Sequence, residues 1–225
     1  MGNRVAGVLL AAGEGKRLGR PKALVELGGR RLVDRGISLL RQGGTAPVLV
    51  VTGAVPVTVP GVTVVPNPDW RTGMGSSLAA GLRALPADCA AAVIALVDQP
   101  LIGPEVVRRL LAAHRAGAEL AVAAYGGRAR NPVLLTRGHW AGALAAAEGD
   151  AGARPYLRTH PGLVTLVECD DIGRPDDVDT PEDLARVAAL LARGADPPEP
   201  PAGLRPGSSV TGPEAPLARP AESLD

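Results

Sequence analysis

Residues Val5–Leu24 read VAGVLLAAGEGKRLGRPKAL, and this stretch decides the fold. Val5–Ala11 is an unbroken apolar run, the pattern of a strand buried on both faces. It feeds directly into a loop punctuated by Gly13, Gly15 and Gly19 and carrying Lys16, Arg17, Arg20 and Lys22. Glycines let a backbone turn tightly and bring its amides close to an anion, and converging cations supply the opposing charge. The spacing G-x-G-x-x-x-G is one residue longer than the dinucleotide fingerprint, and the next strand ends in Thr-Gly with no acid to take a ribose. No G-K-S/T follows, which excludes a P-loop. A triphosphate cradle suits these residues; the alternative is a tight strand-to-helix turn with solvated cations.

Lys16 and Lys22 are the only lysines, every other one of the 24 cations being arginine. Lysine offers a compact point charge where arginine offers a wide planar fork, a choice that a tight phosphate pocket can require.

Outward from this loop, strand-like and helical patterns alternate. Strands are expected at Val48–Val51, Val62–Val65, Ala92–Val97, Leu120–Tyr125, Pro132–Thr136 and Leu163–Val167. Helices are expected at Leu32–Gln42, Ser76–Leu85, Pro104–Arg115, Gly138–Ala147 and from Pro181 to about Arg193. This order predicts an α/β fold, helices covering a mostly parallel sheet in three α/β/α layers, with ligands bound beyond the strands' carboxyl ends. One domain is expected over 1–195. Residues 196–225 are rich in Pro, Ala and Gly without periodicity and are expected to be a disordered tail.

The balance of 24 Lys+Arg against 23 Asp+Glu excludes nucleic-acid or membrane binding through bulk charge. No apolar run is long enough to span a bilayer, and the opening MGNRVAG lacks signal-peptide architecture, so a soluble cytoplasmic protein is expected. Cys89 and Cys169 have no metal or redox spacing and read as buried small hydrophobes.

Six stretches, in order, resemble the MobA-like NTP transferases: LAAGEGKRLGRPKAL, NPDWRTGMGSSLAAGL, LVDQP, RNPVLL, EGDAGARPYL and DVDTPEDL. The first is similar to the signature L-A-A/G-G-x-x-x-R-M/L-G-x-x-K-x-L. Within the family the chain looks most like the molybdenum cofactor cytidylyltransferase branch. Departures are Leu18 for Met, Arg20–Pro21 for Gln-Asn, Val97 for the Gly before Asp98, and Arg130 for a Gly before Asn131.

The resemblance implies a Rossmann-like sheet of the nucleotide-diphospho-sugar transferase type. It implies a Mg²⁺-dependent transfer of a nucleoside monophosphate from an NTP to a phosphorylated acceptor, with release of pyrophosphate. CTP is the implied donor, because Ala12 stands where the guanine-selecting form carries a second Gly. Molybdopterin is the implied acceptor, with a molybdoenzyme or its chaperone as a further partner. Leu10, Ala11, Ala12, Gly13, Gly15, Lys16, Arg17, Lys22, Gly73, Ser76 and Ser77 are the implied nucleotide-binding residues, and Arg17, Lys22 and Asp98 the catalytic ones. Asp98 is the implied metal ligand, or else a turn residue before Pro104. Asp179, with Asp177 nearby, is the second carboxylate, just upstream of a helix cap formed by Thr180, Pro181 and Asp183. Ser76 and Ser77 are equally readable as helix caps. Asn131, Pro132, Asp150 and Arg154 would line the acceptor side, Asp150 also being readable as the cap of the helix that carries Arg154. His114, His139 and His160 are scattered and carry no expected chemistry. Trp70, Trp140, Tyr125 and Tyr156 read as packing residues, with Trp70 beside the nucleotide segment. Within the same chemistry, another acceptor such as a phosphorylated hydroxy acid, sugar or polyol, with GTP or CTP as donor, is also open. Competing classes are a nicotinamide-dependent oxidoreductase and a nucleotide-holding module without turnover.

Overall fold

The computed structural model describes residues 4–193; the expected tail lies outside the described residues. Strand β1 (Arg4–Leu10) leads through the basic loop to a two-residue hairpin, β2 (Glu26–Leu27) and β3 (Arg30–Arg31), and then helix α1 (Leu32–Gln42). Next come β4 (Val48–Thr52), β5 (Thr63–Pro66), α2 (Met74–Arg83), β6 (Cys89–Leu96), α3 (Pro104–Arg115), β7 (Leu120–Tyr125) and β8 (Arg128–Thr136). Helices α4 (Trp140–Ala145) and α5 (Arg154–Thr159), strand β9 (Val164–Glu168) and helix α6 (Pro181–Ala192) complete the order.

The seven-stranded sheet runs β5-β4-β1-β6-β8-β7-β9. All pairings are parallel except those of β8, which is antiparallel to both β6 and β7. Alternation along β1 fills two cores. Ala6, Val8 and Leu10 face α2, α4 and α5, while Leu9 faces α1, α3 and α6. The architecture is therefore the expected three-layer α/β/α. Both cysteines are buried and free. Among the described residues no helix is long and apolar enough to cross a membrane.

Helices α1 and α3 and strand β7 keep the bounds the periodicity predicts. Four details correct the sequence reading. Strand β8 begins four residues early, because the exposed Arg128–Arg130 pairs with the end of β7 without any apolar pattern to announce it. The long helix expected over Gly138–Ala147 is a 3-10 turn followed by the short α4. The β2–β3 hairpin and α5 have no counterpart among the expected elements. Strand β6 stops at Leu96, so Asp98 lies in the turn beyond the strand end.

Candidate active site

Three segments meet at the carboxyl edge of the sheet: the loop after β1, the turn after β6 and the coil between β9 and α6. In the first, Lys16–Leu18 forms a 3-10 turn pinned by buried Leu18. Gly15 precedes it at φ 64°, and a Cβ there would lie 2.1 Å from the Arg20 carbonyl oxygen, so only glycine closes this turn. A second 3-10 turn, Lys22–Leu24, follows Pro21; buried Ala23 and Val25 anchor it and leave Lys22 directed along the sheet edge. The Val97 amide donates to the Leu10 carbonyl (3.1 Å) and the Val178 amide to the Asp98 carbonyl (2.9 Å), which ties all three segments together.

At the junction Lys22 Nζ donates to Asp98 Oδ2 (2.7 Å) and Asp179 Oδ1 (2.5 Å), while Arg17 Nη2 lies 2.9 Å from Asp179 Oδ2. The Lys22 and Asp98 side chains are 16% and 18% exposed, so this contact is partly shielded from solvent. Burial pulls the Lys22 pKa down, and the two carboxylates more than offset that, leaving it above the ordinary lysine value. The Asp179 carboxyl is held below its ordinary value, chiefly by the hydrogen bond from Lys22. Burial pushes Asp177 the other way, despite a 2.9 Å hydrogen bond from Gln99 Nε2.

Asp98 Oδ1 is buried with no hydrogen-bond partner. An open buried carboxylate oxygen, beside a second carboxylate bridged by an ammonium, suits a hard divalent cation that takes few protein oxygens. Asp98 and Asp179 thus fit Mg²⁺. Among the described residues no three His, Cys, Asp or Glu side chains gather into a metal-holding group, and Asp177 is turned to Gln99 instead.

Two cavities flank the junction. The smaller, about 540 Å³, is walled by Ala12, Gly13, Gly15, Lys16, Gly73 and Ser77, with Trp70 at its side. The larger, about 830 Å³, has an apolar floor of Leu78, Ile94, Val122, Val133, Leu157 and Val164. Asn131, Arg154, Asp177, Asp179 and Arg17 also border it. Leu10, Met74, Leu96, Lys22, Asp98 and Asp150 line both. Ala11, Ser76 and Pro132 line neither.

The serines do not cap α2. Gly73 precedes the helix, Ser76 Oγ lies 2.9 Å from both the Asp69 and Gly73 carbonyls, which share its one proton, and Asn67 Nδ2 donates to both serine hydroxyls. Nor does Asp150 cap α5: its Oδ1 accepts from the Met74 amide at the start of α2 (3.4 Å), and the Gly75 amide donates to the Gly149 carbonyl (2.8 Å). The loop before α5 is therefore docked on the helix beside the smaller cavity. Thr180 and Asp183 form the expected capping box. Two of the three histidines are not scattered in space: His139 and His160 flank Tyr156. Sequence reading missed Gln99 and Arg158 as lining residues; the Arg154–Arg158 spacing was the available signal for the second.

The model of the MobA-like NTP transferase domain matches residues 7–164, and the chain belongs to that family. It is 40% identical over 202 residues to nicotine blue oxidoreductase of Paenarthrobacter nicotinovorans, covering 81% of this chain and 96% of the relative. It is 33% identical over 196 residues to molybdenum cofactor guanylyltransferase of Rhodobacter capsulatus, covering 85% and 99%. Among solved structures, the Rv0371C complex with manganese from Mycobacterium tuberculosis H37Rv superposes with a TM-score of 0.71 at 26% identity, over 84% of this chain and 100% of that one.

Proposed function

We propose that this member of the MobA-like NTP transferase family transfers CMP from CTP to the terminal phosphate of a molybdopterin-type acceptor. The observation that carries the reading is the shared wall: Lys22 and Asp98 border both cavities, so a donor in one and an acceptor in the other would meet across them. An acceptor phosphate oxygen attacks the α-phosphorus in line, and the bond from that phosphorus to the bridging oxygen breaks. Pyrophosphate leaves with the bonding electron pair. When bound, Mg²⁺ supplies charge neutralisation and polarises the phosphate oxygens, held by Asp98 and Asp179. Lys22 bears on the charge developing at the α-phosphate, and the amides of Ala12–Lys16 cradle the rest. Catalysis rests on positioning and electrostatics, without a covalent intermediate on the protein.

CTP is favoured because Ala12, which lines the smaller cavity, carries a methyl where the guanine-selecting form has a second Gly, and that methyl packs close to Gly53, where a Cβ would lie 2.9 Å from it. The test is pyrophosphate release with Mg²⁺, each NTP and molybdopterin. Release with CTP and not GTP is expected. Release with GTP alone overturns the donor, in keeping with the name of the Rhodobacter relative, and silence with every NTP overturns the acceptor.

A second reading is a nicotinamide-dependent oxidoreductase; the name of the 40%-identical relative, nicotine blue oxidoreductase, supports the reaction class alone. The lysines in the loop and the Thr52–Gly53 end of β4, where a dinucleotide site carries an acid, weigh against it. Absence of NADPH binding in a fluorescence titration disposes of it.

A further inference from the structure

Helix α5 has only six residues and no side-chain N-cap, so it is far too short to hold itself. It nevertheless carries Arg154, Leu157 and Arg158, all of which border the larger cavity. What holds it is Tyr156, 8% exposed, on the opposite side of the turn. The Tyr156 ring lies against the backbone of α4 at Gly142, where a Cβ would sit 2.4 Å from Cε2. Its hydroxyl meets His139 Nδ1 at 2.8 Å, and His139 Nε2 meets Glu119 Oε2 at 2.7 Å. With Nε2–H donating to the Glu119 carboxylate, the neutral imidazole keeps its lone pair at Nδ1, which accepts a hydrogen bond from the tyrosine hydroxyl. The far end of the helix is held as well: the His160 ring stacks 4.2 Å from that of Tyr156, and Thr159 Oγ1 donates to the Tyr156 carbonyl (2.9 Å).

We infer that the Glu119–His139–Tyr156 chain is the positioning device of the acceptor wall, and that Arg158 joins Arg154 in receiving the acceptor's anionic group. Arg154 and Arg158 are four residues apart and share a helix face, so one rotation of α5 moves both guanidiniums together. Tyr156 and His139 touch no reacting atom. They fix the register of α5, and through it the pair of cations above the apolar floor. The inference rests on the transferase reading for the identity of the acceptor, not for the role of the chain.

The experiment compares wild type with Tyr156→Phe, which keeps the ring and deletes only the hydroxyl, and with Glu119→Ala, which alters a largely exposed side chain. Amide exchange over Arg154–Thr159 is expected to quicken in both. The KM for molybdopterin rises by about fivefold in Tyr156→Phe, the equivalent of one lost hydrogen bond. The kcat and the KM for CTP stay within about twofold, because the donor wall is untouched. Arg158→Gln raises the acceptor KM without altering exchange. Unchanged exchange in Tyr156→Phe, or equal losses in the acceptor and CTP constants, overturns the inference. If wild type transfers nothing to molybdopterin, the reading of the reaction has failed. The exchange rates, with weakened inorganic phosphate binding in Tyr156→Phe expected and unchanged binding contrary, still decide the role of the chain.

Discussion

The smaller cavity is bordered by one continuous glycine-containing loop, Ala12 through Lys16, together with Gly73, whereas the larger is lined by residues that seven strands and helices deliver separately. A wall made by one such loop demands particular residues at fixed spacing, because a single Cβ in the wrong place closes it. A wall assembled from separate elements needs only apolar bulk below and cations at the rim, and many sequences meet that requirement. The first kind of site therefore announces itself along the chain; the second is assembled only by folding.

Four substitutions probe that contrast. The largest effect is expected at the junction. Lys22→Ala lowers kcat for pyrophosphate release by at least about 10²-fold, and a near-normal rate removes Lys22 from the machinery. Next is Gly15→Ala, which places a methyl against the Arg20 carbonyl in a left-handed turn. A loss of about 1–3 kcal/mol of stability, read as a lowered Tm, should accompany weakened CTP binding while molybdopterin binding persists. Equal loss of both ligands would mean that the two walls are not independent. Ala12→Gly should shift the ratio of kcat/KM for GTP over CTP upward by about tenfold. A ratio that stays put means that the base is read elsewhere.

The smallest effect concerns protons. Burial raises the Asp177 pKa, so the folded state binds more protons there than the unfolded one. Its contribution to stability therefore falls as pH rises through the interval from the ordinary carboxylate value to the raised one. Asp177→Asn keeps an acceptor for Gln99 and removes the buried charge, so Tm at neutral pH should rise by a few degrees, roughly 1 kcal/mol. A fall in Tm, or loss of Mg²⁺ dependence, would make Asp177 a ligand after all. The Lys22 bridge has the same sign in a more alkaline window. Its raised pKa means that its contribution is complete below the ordinary lysine value and is lost as pH climbs through the raised one.

The contrast also explains what was legible. Helices α1 and α3 announce themselves by apolar periodicity, and the loop by its glycines and cations. Asp98 was marked by the family resemblance of LVDQP, and Asp179, with Asp177, was left over once the capping roles of Thr180, Pro181 and Asp183 were assigned. Strand β8 was legible only where it is buried, since Arg128–Arg130 pairs through backbone alone. Helix α5 was hidden by its brevity and by Pro155 near its start. The contacts of Tyr156 with His139 and of His139 with Glu119 join residues 17 and 20 apart that share no element, so no periodicity could have revealed them.

The ion-pair arrangement at the junction has a consequence for the order of events. Two cations, Lys22 and Arg17, already neutralise two carboxylates, Asp98 and Asp179. A metal ion arriving alone must compete with an ammonium already seated, and a bare triphosphate must draw cations away from their partners. On the proposed reading a metal–nucleotide complex would do both at once, with Lys22 and Arg17 free to meet its phosphates and Asp98 and Asp179 to hold its metal. On that reading the junction would act as an interlock, answering to the pair and to neither half alone.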